Sequence, residues 1–344
     1  MIKIDSKKEE NIMRKFEKAV VLLNMGGPNS LDEVGVFLKN MFADPCILSV
    51  KNNMFRSMMG SMIVNSRIEK SKKIYENIGG SSPITPITFS LTQKLQSRRE
   101  EVFYTYAMRY VPPFALDVLR EIAQKDIQKI CLFSMYPQYS STTTFSSFSD
   151  AAVALRELEF SPEVKIVDRY FNDSSFIDGV CDSIIASLES SFMDSNTSLD
   201  SNVLDSNITA SFTLILSAHS IPISRVKKGD PYKDECETCL KLISEELESR
   251  GFRFQNIILS YQSKVGPVKW LEPNTQDIIT QTRGNVIIYP LSFMIDNSET
   301  LYELHKLYRG IFEEKNGKDK YRFIVCPCFN DSDSCIKLIE KLCL

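Results

Sequence analysis

The sequence predicts an α/β protein built on two parallel sheets of about four strands each. Three observations carry this reading. Short apolar runs recur along the chain, at 19–23, 102–107, 130–135, 164–167, 212–216, 256–260, 286–291 and 322–326. Longer amphipathic stretches separate them, and the runs are near-continuous rather than alternating, as strands covered on both faces require. A chain of 344 residues also has room for roughly two domains of ordinary size.

The elements follow in order. Residues 1–18 mix lysines and acids, hold no apolar core of signal length, and are expected to be a frayed tail. The first domain is expected over 19–167, with helices at 31–41 and 114–123 between its strands. Within it, 50–82 contains Met54, Phe55, Met58, Met59, Met62, Ile63 and Val64. That stretch reads either as a buried helix face or as a flexible apolar lip on a cleft, because thioethers adapt to irregular surfaces. It is too short to span a bilayer. The second domain is expected over 168–312, with helices at 234–250 and 299–312. Its segment 190–211 is dominated by Ser, Asp and Asn, repeats Asp-Ser-Asn three times, and is expected to loop out as a solvated insertion. Residues 313–344 are expected to form a strand and a helix that return to the first domain.

Bulk properties exclude several function classes. A net charge of −3 provides no field to draw in nucleic acid. Nine cysteines, an odd count at scattered spacings with no leader ahead of them, point to a reducing, cytoplasmic setting. No stretch reaches the ~18 uncharged apolar residues of a membrane span. The Gly26-Gly27 pair lacks the spacing of a dinucleotide fingerprint, and no strand is followed by Gly-Lys-Ser/Thr, which argues against nucleotide dependence.

The residues that carry chemistry sit just after strands. Met25-Gly26-Gly27-Pro28, Arg109-Tyr110, Tyr136-Pro137-Gln138-Tyr139, His219, Tyr261-Gln262-Ser263 and Ser292-Phe293 all do so. In open α/β sheets ligands bind beyond the carboxyl ends of the strands, so these positions describe one broad cleft. His219 is one of only two histidines. Glu299 and Glu303 are four apart, on one face of a helix whose core face is expected from Leu301, Leu304 and Tyr308. A neutral imidazole facing paired carboxylates suits a divalent metal and the acceptance of protons. The Gly-Gly after Met25 is expected to let the backbone approach a flat ligand. Trp270 is expected to support the cleft from behind.

Eight motifs in order resemble the ferrochelatase family. They are Leu23-Asn24-Met25-Gly26-Gly27-Pro28, Gly80-Ser81-Ser82-Pro83-Ile84, Met108-Arg109-Tyr110, Tyr136-Pro137-Gln138-Tyr139-Ser140, Ser217-Ala218-His219-Ser220, Gly229-Asp230-Pro231-Tyr232, Gln262-Ser263-Lys264-Val265-Gly266-Pro267 with Trp270-Leu271, and Glu299-Thr300-Leu301-Tyr302-Glu303-Leu304. The resemblance implies two Rossmann-like domains, the chelatase fold, and a lyase that inserts Fe²⁺ into protoporphyrin IX, giving haem and two protons. It implies His219 as the pyrrole-proton acceptor or metal ligand, with Glu299 opposite as a second ligand and Glu303 in the same acidic path. It also implies that Met25, Arg109 and Tyr110 line the porphyrin pocket. Arg67, Lys70, Tyr75 and Ser82 then stand where the propionates are held, a role that suits the planar guanidinium of arginine. Fe²⁺ is a substrate in this reading, and no permanent cofactor is implied. The apolar lip would receive a membrane-borne porphyrin, making a peripheral membrane contact.

The chain departs from the family pattern at named places. Asn297 replaces a usual histidine, Pro112 stands where a histidine is common, and Phe145 replaces a frequent glycine. Some members carry a [2Fe–2S] cluster. Here Ser141 occupies the internal cysteine position, and the chain stops shortly after the expected last helix, so no cluster is expected. Cys236 and Cys239 have no second pair at zinc-ribbon spacing, and Cys326 and Cys328 fall in the last strand. Two other readings stay open: a chelatase for coproporphyrin or a corrin precursor, and a non-catalytic haem-binding protein with His219 as axial ligand.

Overall fold

A computed structural model describes residues 16–193, 206–264, 266 and 268–344. Most of the expected tail (1–15), the centre of the expected insertion (194–205), Val265 and Pro267 lie outside the described residues.

Among the described residues, eight parallel strands form two four-stranded sheets. In the first the order is β2-β1-β3-β4, from Lys18–Asn24 (β1), Val102–Met108 (β2), Lys129–Ser134 (β3) and Glu163–Val167 (β4). The second repeats that topology as β6-β5-β7-β8, from Phe212–His219 (β5), Asn256–Gln262 (β6), Asn285–Pro290 (β7) and Phe323–Val325 (β8). The central strands are buried almost throughout, which explains their continuous apolar runs. Successive side chains point to opposite faces. Thus Leu214 and Leu216 enter a core shared by both domains, while Ile215 packs outward beneath Leu304, Tyr308 and Phe312. The shared core also takes in Leu22, Phe133, Cys335 and Ile339, so the domains are joined through apolar contact.

Three boundaries differ from expectation. Lys18 already belongs to β1, and Phe16 packs on Phe103 at 5.2 Å between ring centroids, so the fold starts inside the expected tail. At the expected insertion, the helix Ser174–Met193 runs into its start and a turn of helix at Ser206–Thr209 lies near its end. The buried face of the long helix, with Val180, Ile184 and Leu188, carries it past the apolar–polar composition change. Third, β8 does not return to the first domain: it pairs with β7 in the second sheet. Only the last helix, Asp333–Cys343, makes the return. There Arg98 meets Glu340 at 3.4 Å, Lys94 meets Asp331 at 2.8 Å, and Lys18 donates to the Cys343 carbonyl at 2.7 Å.

The segment expected as a lip is the helix Asn53–Glu76, capped by the Asn52 side chain accepting from Phe55 N–H. It crosses the helix Val34–Ala43 at Gly60, where a Cβ would stand 3.2 Å from the Phe42 carbonyl oxygen. Met54 is 81% exposed and Met62 66%, with Phe55 and Met58 also exposed, so this apolar face is not a buried core face. Among the described residues, no helix is long and apolar enough to cross a membrane.

Candidate active site

His219 is the last residue of β5. Its N–H donates to Ser292 Oγ at 2.8 Å, and its carbonyl accepts from Tyr232 Oη at 2.9 Å. Ser292 follows β7, the neighbour of β5 on the side where strand order reverses. The imidazole therefore stands at the topological switch point of the second sheet, where such folds open a crevice. Phe293 meets the imidazole edge-on at 6.4 Å between centroids.

His219 Nδ1 lies 2.8 Å from Glu299 Oε2. Glu299 opens the helix Glu299–Tyr308, which is a π-helix and continues as the α-helix Arg309–Asn316. Its buried residues, Thr300, Leu304 and Tyr308, recur every four positions, a spacing wider than the α-helical period. Leu301, expected in the core face, is only half-buried for that reason. The start of the helix is braced. Asn297 Oδ1 accepts from Glu299 N–H at 2.8 Å, and Asp296 takes hydrogen bonds from Thr300 Oγ1 at 2.8 Å and Asn330 Nδ2 at 2.6 Å. Asn297 thus anchors the backbone that presents Glu299, a capping role an amide fills well.

Ser263, just beyond β6, completes the group. Its Oγ lies 2.8 Å from Glu299 Oε2 and 2.7 Å from Glu303 Oε2. Its φ of 65° is the left-handed region that non-glycine residues seldom occupy, a strain found most often at functional sites. A hydroxyl has one hydrogen, so both contacts are hydrogen bonds only when one of the two carboxyls is protonated. Glu303 is that group: burial and the neighbouring Glu299 charge push it up to about 7, against Ser263, His219 and Lys70. For His219, burial pushes the imidazole down, but the Glu299 charge and hydrogen bond, with Glu303, outweigh it and the pKa ends above its usual value. For Glu299, burial pushes up and is outweighed by His219 and the Ser263 hydrogen bond, so it ends low. Ionised Glu299 beside an imidazole and a protonated carboxyl can accept, hold and pass a proton, and the first two can ligate a divalent ion.

A stability prediction follows. Glu303 binds protons more tightly folded than unfolded between 4.5 and about 7. Wild-type stability therefore falls as pH rises through that window, relative to a chain lacking the group. Glu303→Gln is neutral at every pH, so its melting temperature should gain on wild type by several degrees between about pH 5 and about pH 8. Parallel thermal-unfolding curves for the two proteins would contradict this.

The structure brings several other expected residues to this group. Tyr75, at the end of the helix Asn53–Glu76, is buried; that burial, opposed by a hydrogen bond with Ser298 and reinforced by Glu299, raises its pKa to about 12. Arg67 lies in the field of Glu303, which partly offsets the lowering by burial, and Lys70 acts on Glu303 in turn. Met25, just past β1, is half-buried and packs against the core shared by both domains.

Other expected residues have different surroundings. Ser82 is 2% exposed and sits behind Gly27, where a Cβ would come within 2.3 Å of its hydroxyl oxygen. A Cβ on Gly26 (φ +76°) would meet Val111 Cγ2 at 2.4 Å. Packing within the first domain thus by itself requires glycine at both positions. Arg109 and Tyr110 both engage buried Asp44. Tyr110 Oη donates to it at 2.9 Å, and Arg109 pairs with it at 3.4 Å and with Asp150 at 3.4 Å while donating to Ser146 at 3.0 Å. Arg109, Asp44 and Asp150 line a groove of about 460 Å³ with Asn40, Phe114 and Glu157. Trp270 bridges Pro222, three residues beyond His219, and so braces that strand end.

Ser263 was expected at the cleft as part of Tyr261-Gln262-Ser263, but no chemical role was read for it. Its position after a strand was the available signal. Its two acceptors lie 36 and 40 residues away, beyond the reach of local pattern. Both cysteine pairs are buried, and that burial raises Cys239 and Cys326 to about 12 and Cys236 and Cys328 well above the usual thiol value.

The ferrochelatase family model matches residues 17–344 of this chain. A ferrochelatase from Helicobacter pylori strain HPAG1 is 50% identical over 336 residues, 97% of this chain and 95% of its own. Those of Helicobacter hepaticus (46% identical; 92% of this chain, 96% of its own) and Wolinella succinogenes (44%; 95% and 98%) are also similar. Among solved structures, the sirohydrochlorin chelatase SirB from Bacillus subtilis subspecies spizizenii, in complex with cobalt, superposes with a TM-score of 0.53. At 6% identity over 95% of this chain and 94% of that one, that likeness concerns the fold alone.

Proposed function

The chain belongs to the ferrochelatase family, and we propose that it inserts Fe²⁺ into protoporphyrin IX at His219 and Glu299, with Glu303 receiving protons behind them. Ferrochelatases are lyases that act on a porphyrin and ferrous iron and complete haem biosynthesis. The observation that carries the residue assignment is the contiguous array His219–Glu299–Ser263–Glu303 at the mouth of the second sheet. Metallation requires two pyrrole protons to leave as iron enters. Neutral His219 accepts one and ionised Glu299 the other, and the Ser263 and Glu303 contacts behind them give those protons a way out. Iron is cargo here: His219 and Glu299 would hold it as donors before it passes to the ring nitrogens, and are free to take protons once it has left.

Arg67, Lys70 and Tyr75 hold the propionates in this account. The charges of Arg67 and Lys70 act on Glu303, so a carboxylate-bearing edge docks near the acidic group without adding unpaired anions. The exposed Met54, Phe55, Met58 and Met62 make the lip a peripheral contact for a membrane that carries porphyrin. Iron insertion assayed with protoporphyrin and coproporphyrin side by side tests the substrate. The expected result is a clear preference for protoporphyrin; a preference for the tetracarboxylate would assign the chain to the other chelatase class, and binding without insertion would favour a haem carrier.

An iron–sulfur cluster has no place in this reading. Ser141 donates to Asp230 through both its N–H (2.8 Å) and its hydroxyl (2.7 Å), and its hydroxyl oxygen accepts from Arg225 at 3.2 Å. A committed hydroxyl is no substitute for a thiolate ligand. Purified protein should show no cluster absorption and no acid-labile sulfide; about two sulfides per chain, as a [2Fe–2S] centre requires, would contradict this.

A further inference from the structure

Arg225 is not part of the array at His219, yet it is engaged on several sides. It lies on the short helix Ile223–Val226, six positions beyond His219 in the second domain. Its guanidinium reaches across to the loop that leads into the lip helix. One terminal nitrogen donates to the Cys46 carbonyl, to the Ile47 carbonyl at 3.3 Å and to Ser49 Oγ at 2.9 Å; the other donates to Ser141 Oγ at 3.2 Å.

That loop is staked at three points. At its start, Asp44 accepts from Tyr110 Oη at 2.9 Å and from Cys46 N–H at 2.7 Å, which fixes it to the first domain. At its end, Arg56 of the lip helix donates to the Val50 carbonyl at 2.9 Å and to the Ala43 carbonyl at 3.1 Å. Arg225 grips the middle from the other domain. The lip helix carries Arg67, Lys70 and Tyr75, whereas His219 and Glu299 belong to the second domain. Their mutual placement therefore depends on contacts between the helix and that domain. At the far end of the helix, the Asn77 carbonyl accepts from Lys306. At the near end Arg225 supplies the contact, on a segment held to its surroundings by Ile223 N–H donating to the Lys269 carbonyl at 2.9 Å.

We infer that Arg225 is a positioning residue for porphyrin: it clasps the base of the lip to the domain that carries His219, and so sets the distance between the propionate cations and the metal-inserting pair. The inference rests on the porphyrin reading given above. The planar fork of arginine suits several carbonyl and hydroxyl acceptors at once, a geometry lysine cannot reproduce. Releasing the clasp leaves the chemistry at His219 intact but lets the lip float, which weakens ground-state binding rather than turnover.

The test measures porphyrin affinity by fluorescence quenching and, separately, steady-state iron insertion. Arg225→Ala should weaken porphyrin binding and raise its KM about tenfold, the scale of a lost charged hydrogen-bonding group, with kcat within about twofold of wild type. Arg225→Lys should recover only part of the affinity. Ser49→Ala, an exposed site whose loss cannot unfold the protein, should raise KM about two- to threefold. Unchanged porphyrin affinity in both Arg225→Ala and Ser49→Ala would overturn the inference, as would a fall in kcat at constant KM. Wild-type protein that neither binds porphyrin nor inserts iron would instead overturn the porphyrin reading itself.

Discussion

Replacing His219 by alanine should reduce iron insertion by about 100- to 10 000-fold, the range for losing a positioned proton acceptor, while porphyrin still binds. The reasons lie in how the residue is held. Its backbone contacts, to Ser292 Oγ and Tyr232 Oη, do not involve the imidazole and survive the substitution. The side chain is 37% exposed at the cleft, so truncation opens no core cavity and the fold should persist. What disappears is the base next to the ring and one of two iron donors. The groups assigned to the propionates stand on another element, the helix Asn53–Glu76, so ring affinity should change little. Insertion at near-wild-type kcat would refute the assignment, and loss of porphyrin binding would point to axial ligation.

Glu299→Gln should lower turnover about 10- to 100-fold, as loss of a group that orients and polarises a histidine ligand typically does. The isosteric amide fills the same space but removes the charge that raises His219 and the site that would carry Fe²⁺. A pH signature accompanies the loss. His219 must be neutral to accept a proton, so wild-type insertion should rise with pH through the elevated imidazole pKa. Without the Glu299 charge that pKa falls, and the acid limb of the residual activity should move to lower pH. An unmoved acid limb would mean that another group governs the profile.

The two-sheet architecture was legible because buried parallel strands need unbroken apolar runs, and β1, β5 and β7 have them. The partner of β8 was not legible: a three-residue strand carries no mark of the sheet it will join. The carboxylate pair at 299 and 303 could be read from spacing alone, but the π-helical winding that moved Leu301 out of the core face could not. Positions 109 and 110 shared every sequence feature of the cleft residues. Their contacts with Asp44, 66 residues before Tyr110 and buried, lie beyond the reach of local pattern. Ser263 likewise acquires its role only when β6 and the π-helix meet.

The central claim is that His219 and Glu299 act as one unit in metallation, and a double-mutant cycle on single-turnover haem formation tests it most directly. Residues that act together lose their effect together, so the double variant His219→Ala/Glu299→Gln should be about as slow as His219→Ala alone. A rate reduced by the full product of the two single losses would show that the residues act independently, and would contradict the account.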